Sequence, residues 1–151
     1  MSLRQKIVLL FFTVIVFLVP AGEGYSLDFA RKTLPNGLVV YHSERHNLPV
    51  VMVSLLIKAS PLDELPGKAG VASMTAHMMT EGTSTRSSLQ ISQEIEFIGA
   101  DLDASATKDY STLSLSVLKK NVQKGFEVLS DVLLNPAFPE EELKRKRELV
   151  K

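Results

Sequence analysis

The order of apolar and polar residues predicts two kinds of element along the chain, strands with a repeat of two and helices with a repeat of about 3.6. Residues 29–33 and 38–42 flank Leu34-Pro35-Asn36-Gly37. Because a proline followed by Asn-Gly is a strong turn signal, these residues predict a hairpin. Val50–Ile57 is apolar at every position except Ser54, which is typical of a central strand buried on both faces.

A second hairpin is predicted further along the chain. Residues 102–107 and 110–117 alternate apolar with small polar side chains, and Lys108-Asp109 separates the two runs as a turn. In the second run the apolar side chains lie on one face and the serines on the other, so one face is expected to be open to helices or solvent. Two hairpins favour antiparallel pairing of the strands.

Two helices are predicted between these hairpins. Residues 70–83 have the pattern of a short helix closed by Glu81-Gly82-Thr83. Ser87 and Gln90 then have the spacing of a capping box. The apolar stripe of this second helix consists of Ile91, Ile95 and Ile98. Gly99 is placed to end the helix.

Two more helices follow the second hairpin. The apolar stripe of the first ends at Asn135-Pro136, and it consists of Val122, Phe126, Leu129 and Leu133. Pro139 opens the last helix, whose acidic start at 140–142 and basic continuation at 144–147 complement the helix dipole. The order β-β-β-α-α-β-β-α-α predicts an α+β fold, with helices packed on an antiparallel (or mixed) sheet.

The first 24 residues have the layout of a secretory signal peptide. Arg4 and Lys6 give a positive start, and Ile7–Val19 is apolar except for one threonine. Cleavage is expected after Ala21 or Gly24. The alternative is an uncleaved membrane anchor, but this run is shorter than the roughly 20 residues that a span needs. We therefore expect an exported chain, with no stable membrane span after cleavage and a bacterial periplasm as its destination.

Composition and charge exclude several classes of function. Lysine plus arginine and aspartate plus glutamate each number 17, so the formal net charge is zero and nucleic acid is not expected as a partner. The chain has no cysteine, which excludes disulfides and cysteine-ligated metals. An exported chain without cysteine is compatible with the periplasm.

Several segments together resemble a known family. They are Leu34-Pro35-Asn36-Gly37-Leu38, residues 66–72, Glu81-Gly82-Thr83, and Asn135-Pro136 with Phe138-Pro139 followed by an acidic-then-basic helix. In this order they resemble the N-terminal domain of the pitrilysin/insulinase zinc peptidases, the inverzincins. The resemblance implies that residues 25–151 are the N-terminal portion of such a domain, with its C-terminal part absent.

The chemistry of this family lies in the sequence H-x-x-E-H on one helix, where two histidines bind zinc and the glutamate is the general base. Carried over by position, the first histidine is replaced by Ser73 and the base by Ala76, and only His77 remains. The family's third ligand would fall beyond Lys151. Glu148 matches a supporting glutamate near the metal, and its plain interpretation is a carboxylate on a helix surface.

The resemblance therefore implies kinship with zinc peptidases without an intact site. We predict no bound cofactor, and His77 is expected to be a partly buried or cleft-facing histidine with a hydrogen-bond partner. His42 and His46 are the only other histidines, and the family keeps no ligands at their positions.

Members of this family that lack the H-x-x-E-H motif form pairs with an active zinc subunit and help to hold unfolded peptide. The resemblance therefore makes this role the leading hypothesis. The alternatives are an active zinc endopeptidase with a divergent site and a stand-alone exported binding module.

Overall fold

The computed structural model describes residues 29–149. The predicted signal peptide lies outside the described residues. The described residues fall into two compact units, which are divided between Arg45 and His46. In the first unit, β1 (Ala30–Thr33) pairs antiparallel with β2 (Val39–His42). Gly37 has a φ of +86° in the turn between them, which glycine tolerates without strain. The first predicted hairpin is confirmed.

In its described residues, 46–149, the second unit contains three strands and four α-helices, in the predicted order. The strands pair antiparallel in the spatial order β3-β5-β4. The elements are β3 (Val50–Ile57), α1 (Val71–Met79), α2 (Ser88–Phe97), β4 (Asp101–Ala106), β5 (Ser111–Leu118), α3 (Val122–Leu134) and α4 (Glu140–Leu149). The predicted α+β class with antiparallel pairing is therefore confirmed. In the part of the chain from 29 to 149, no helix is both long and apolar enough to cross a membrane.

The core lies on one face of this sheet. Leu113, Leu115 and Val117 of β5 are fully or almost fully buried there. The helix residues in the same cluster are Ile91, Ile95, Ile98, Val128, Leu129 and Val132. Burial of a side chain of this size stabilises a fold by about 1.5–3 kcal/mol. The alternation predicted for β5 and the isoleucine stripe predicted for α2 are both confirmed.

The prediction for β3 is wrong in position and burial. β3 lies at an edge of the three-stranded sheet, because among the described residues it pairs only with β5. Its side chains alternate between half-buried and exposed, and Met52 is 80% and Leu56 67% exposed. A continuous apolar run suits a strand covered on both faces, but the helices of this unit cover only one face of the sheet.

The stripe predicted for α3 is confirmed except at Phe126, which is 43% exposed. Leu129 is buried, and Val122 and Leu133 are half-buried against the core. The other buried residues of α3 are Gly125, Val128, Asp131 and Val132. Phe126 points outward because the neighbouring Gly125 approaches β5 closely, where an added Cβ would lie 3.1 Å from Cδ2 of Leu115. α3 presents Gly125, which has no side chain, to β5, and this rotates the buried face of the helix away from Phe126.

The local signals at α2 hold as predicted. The backbone N–H of Gln90 donates to the Ser87 hydroxyl (3.3 Å), and the backbone N–H of Ser87 donates to Oε1 of Gln90 (2.8 Å). This reciprocal pair satisfies two N–H groups that the first turn of a helix leaves open. At the other end, Gly99 follows the helix with a φ of +61°.

Candidate functional site

α1 carries the positions to which the family resemblance assigns the metal site, and the start of this helix is held by a residue outside the helix. Both oxygens of Glu64 accept hydrogen bonds at the N-terminus of α1, from the backbone N–H groups of Gly70 (2.8 Å) and Ala72 (2.7 Å). A carboxylate at this place satisfies free N–H groups and complements the helix dipole. Sequence analysis missed this role, although an acid a few residues before a predicted helix is a recognisable signal.

The three residues of the family's pattern have different surroundings. Ser73 is half-buried, Ala76 is 2% exposed, and His77 is exposed. His77 is not partly buried, and it forms no hydrogen bond with any other described residue, so the expected hydrogen-bond partner is not found in the range 29–149. The reason is its place on the outer side of α1, away from Met78, which is buried.

These residues do not fit a zinc ion. A serine hydroxyl is a poor neutral ligand, the methyl group of Ala76 has no donor atom, and a single imidazole cannot form a tetrahedral site. Residues 29–149 contain no group of three or more histidine, aspartate or glutamate side chains that could hold a metal. Glu148 is exposed on α4, in agreement with its interpretation as a surface carboxylate.

The remaining histidines do not rebuild the site. His42 lies on β2 in the first unit, with its Nε2 atom 3.9 Å from a carboxylate oxygen of Glu44. His46 begins the second unit and also has an interaction partner. Neither belongs to a metal-binding cluster within the described range.

An open groove of about 580 Å³ lies along the other side of α1. Five helix residues, Val71, Ala72, Thr75, Ala76 and Met79, form one wall, so the position of the family's general base borders this groove. The rest of the lining comes from the end of β3, the start of β5 and the segment between β3 and α1: Ile57, Ala59, Ser60, Asp63, Glu64, Leu65, Lys68 and Ser111.

Glu81, just after α1, joins three elements of the unit. Its buried carboxylate accepts hydrogen bonds from Lys146 Nζ (2.7 Å) and Arg145 Nη2 (3.1 Å) of α4. The Ser88 hydroxyl of α2 donates to it as well, at 3.1 Å. Burial alone would raise the pKa of Glu81, but these hydrogen bonds and the two positive charges lower it below its usual value.

Asp131 forms a second buried network, between α3 and the loop after Glu81. Its Oδ2 atom accepts hydrogen bonds from Arg86 Nη1 (2.6 Å), the Thr83 hydroxyl (2.6 Å) and the Thr85 hydroxyl (2.9 Å). Asn135 Nδ2 donates to the other oxygen at 3.0 Å. Burial would raise the pKa of Asp131, but the four donors outweigh it and hold the pKa far below its ordinary value.

The backbone explains why glycine stands between Glu81 and Thr83. Gly82 has a φ of +147°, and an added Cβ would lie 3.2 Å from Cγ of Pro139. Its carbonyl accepts a hydrogen bond from the N–H of Ala137, and Thr83 bridges to Pro136. Glu81-Gly82-Thr83 and Asn135-Pro136 therefore meet in space. These two motifs of the family resemblance form one junction, where Gly82 packs against Pro139 at the start of α4.

The two networks predict a dependence of stability on pH. Since both carboxylates have lowered pKa values in the folded state, their stabilisation is complete above the unfolded values of about 4 and is lost as pH falls below them. The free energy of unfolding, measured in urea, should be level from about pH 7 to 5 and decline below about pH 4. Asp131→Asn should make this decline shallower, and an equal slope in the variant would contradict the assignment.

Comparison with known proteins identifies the family to which this chain belongs. The sequence model described as Insulinase (Peptidase family M16) matches residues 39–151. The chain is 33% identical over 118 residues to a probable mitochondrial-processing peptidase subunit beta of Arabidopsis thaliana, covering 78% of this chain and 22% of that protein. It is 35% identical over 119 residues to the mitochondrial-processing peptidase subunit alpha of Solanum tuberosum, covering 79% of this chain and 23% of that protein.

A solved structure has the same fold. It is the crystal structure of a peptidase M16 inactive domain from Pseudomonas fluorescens, with a TM-score of 0.76 and 26% identity. The match covers 82% of this chain and 30% of that one. The chain thus spans less than a third of the length of each of these three proteins.

Proposed function

This chain belongs to the insulinase family of peptidases, as its motifs indicated, and from that premise we propose that it is part of a non-catalytic, peptidase-like subunit. The observation that carries the proposal is that α1 and its supporting contacts are formed while the side chains that the family's chemistry needs on this helix are replaced. α1, its Glu64 cap and its Glu81 junction are all formed, whereas Ser73 and Ala76 stand where a ligand and the base are required. The likeness to an inactive domain supports the same conclusion.

The proposed role of the subunit is to hold unfolded peptide. An extended peptide can join an exposed sheet edge as an additional strand, mainly through backbone hydrogen bonds that need no metal. Among the described residues β4 pairs only with β5, so its other edge is open, and α1 packs against β4. We infer that peptide binds along β4, next to the helix that has lost its ligands.

The proposed partner is an active zinc-peptidase subunit of the same family. Two relatives are named as alpha and beta subunits of a processing peptidase, which supports pairing between similar chains. The proposed location is the bacterial periplasm, and it rests on the signal-peptide pattern of residues 1–24.

The decisive experiment measures metal and cleavage together. The chain, purified without affinity-tag metals, should contain far less than one zinc per molecule and should not cleave a quenched peptide, with or without chelator. Adding a subunit of the same family from the same source that carries an intact H-x-x-E-H motif should give cleavage that a chelator abolishes. Stoichiometric zinc with chelator-sensitive cleavage by this chain alone would instead establish a divergent active enzyme.

Crosslinking in the native source tests the pairing separately. A zinc-peptidase subunit of the same family should be recovered with this chain after mild crosslinking. Recovery of the chain without any such subunit would favour a stand-alone binding module.

A further inference from the structure

We propose that the peptide added along β4 is selected for lysine or arginine at alternate positions, where it lies beside Asp101 and Asp103. This inference rests on the proposed peptide-holding function and names the class of peptide that is held. The ligand is an extended segment whose positive side chains lie on the face of the sheet away from the helices. The side chains on its other face are uncharged.

The register of the sheet places both aspartates on one face of β4. Asp103 lies opposite Ser114 of β5, whereas Ala104 lies opposite Leu113, which belongs to the core. Because successive side chains of a strand point to opposite faces of the sheet, Asp101 and Asp103 both lie on the face away from the core. Both are exposed. Alternate side chains of a further strand would lie next to them on this face.

The negative charge of this strand is not neutralised within the described part of the chain. Neither Asp101 nor Asp103 forms an ion pair or a side-chain hydrogen bond with another residue in the range 29–149. Their neighbours across β5 are the uncharged Ser116 and Ser114. Residues 99–110, which contain β4 and both adjoining turns, have one lysine against three aspartates, a formal charge of −2. A positive side chain on the peptide therefore complements this edge.

The opposite face of β4 favours uncharged side chains. Ala104 is buried there, and Leu102 and Ala106 are half-buried. α1 packs against β4, and His77, on its outer side, is its only ionisable residue. A lysine of the peptide on this face would lose water without gaining an acidic partner, which is costly. The two faces together therefore select for basic residues at every second position.

The test compares four fluorescein-labelled peptides of equal length by fluorescence polarisation, using the full chain. The first has lysines at alternate positions between threonines. The second and third have alanine or glutamate in place of each lysine. The fourth has the composition of the first, with its lysines consecutive.

The peptide with alternate lysines should bind about two- to thirtyfold more tightly than the alanine peptide, as expected for two cross-strand pairs of opposite charge. The glutamate peptide should bind more weakly than the alanine peptide, and added salt should reduce both differences. The peptide with consecutive lysines should bind more weakly than the first, because every second lysine of its run would face the helices.

Paired variants with a matched control locate the charges. Asp101→Asn combined with Asp103→Asn should make the affinities for the lysine and alanine peptides equal. Glu96→Gln combined with Glu141→Gln removes the same charge from exposed sites on α2 and α4, and should leave the preference unchanged. Asp101→Lys combined with Asp103→Lys should favour the glutamate peptide. Circular dichroism checks that each variant is folded.

The outcomes separate the two levels of the proposal. Three results would overturn the selection for alternate basic residues and leave peptide holding intact: equal binding of the lysine, alanine and glutamate peptides, equal binding of alternate and consecutive lysines, or an unchanged preference in the asparagine variant. If the wild type binds none of the four peptides, both this selection and the proposed peptide-holding function are overturned.

Discussion

Asp131→Ala is expected to lower the free energy of unfolding by about 3–5 kcal/mol, the usual cost of breaking a buried ion pair. The side chain is buried, and Arg86 and two threonines donate to the same oxygen. Alanine would leave the Arg86 guanidinium with Glu94 as its acidic partner among the described residues, and the loop after α1 would lose its side-chain hydrogen bonds to α3. Removal of the Asp131 carboxylate thus leaves Arg86, Thr83 and Thr85 without the oxygen to which all three donate.

Urea unfolding of the chain, followed by circular dichroism, measures this effect. Asp103→Ala is the matched control, since it removes an exposed aspartate from β4 and should change stability by less than about 0.5 kcal/mol. Asp131→Asn keeps the shape of the side chain and should fall between the two. A loss below 1 kcal/mol for Asp131→Ala, a value typical of exposed pairs, would show that the network is solvated in solution.

Leu113→Ala should destabilise the fold by about 2–5 kcal/mol, and Leu56→Ala by much less. Leu113 lies on central β5, is 0% exposed, and belongs to the cluster that includes residues of α2 and α3. Leu56 lies on the opposite face of the same sheet and is 67% exposed. The same chemical change thus creates a cavity at one position and removes a solvated side chain at the other.

This pair of variants also tests the corrected burial of β3. If Leu56→Ala cost as much as Leu113→Ala, the outer face of the sheet would be covered in solution, as the apolar run first suggested. The comparison requires monomeric samples, which analytical ultracentrifugation checks, because association through the open face would protect Leu56.

Local patterns were sufficient for most elements of the fold. The Asn36-Gly37 turn, the capping box at Ser87 and the isoleucine stripe of α2 each depend on residues close in sequence, and each is confirmed. The family's motifs also located α1 and its replaced residues. Asp131 was missed, although an acid between Val128 and Val132 on a helix face is itself a signal of a buried network.

The sequence by itself determined the order of the elements and indicated the family, because repeat length and residue chemistry are local properties. Only the tertiary structure decided which faces are buried. Gly125 turns α3 towards β5, and the edge position of β3 leaves Leu56 exposed. It also decided the partners of the buried acids, since Asp131 and Thr83 are 48 residues apart and Glu81 and Arg145 are 64 apart. Such pairs form only when packing brings distant segments together, and no local repeat records them.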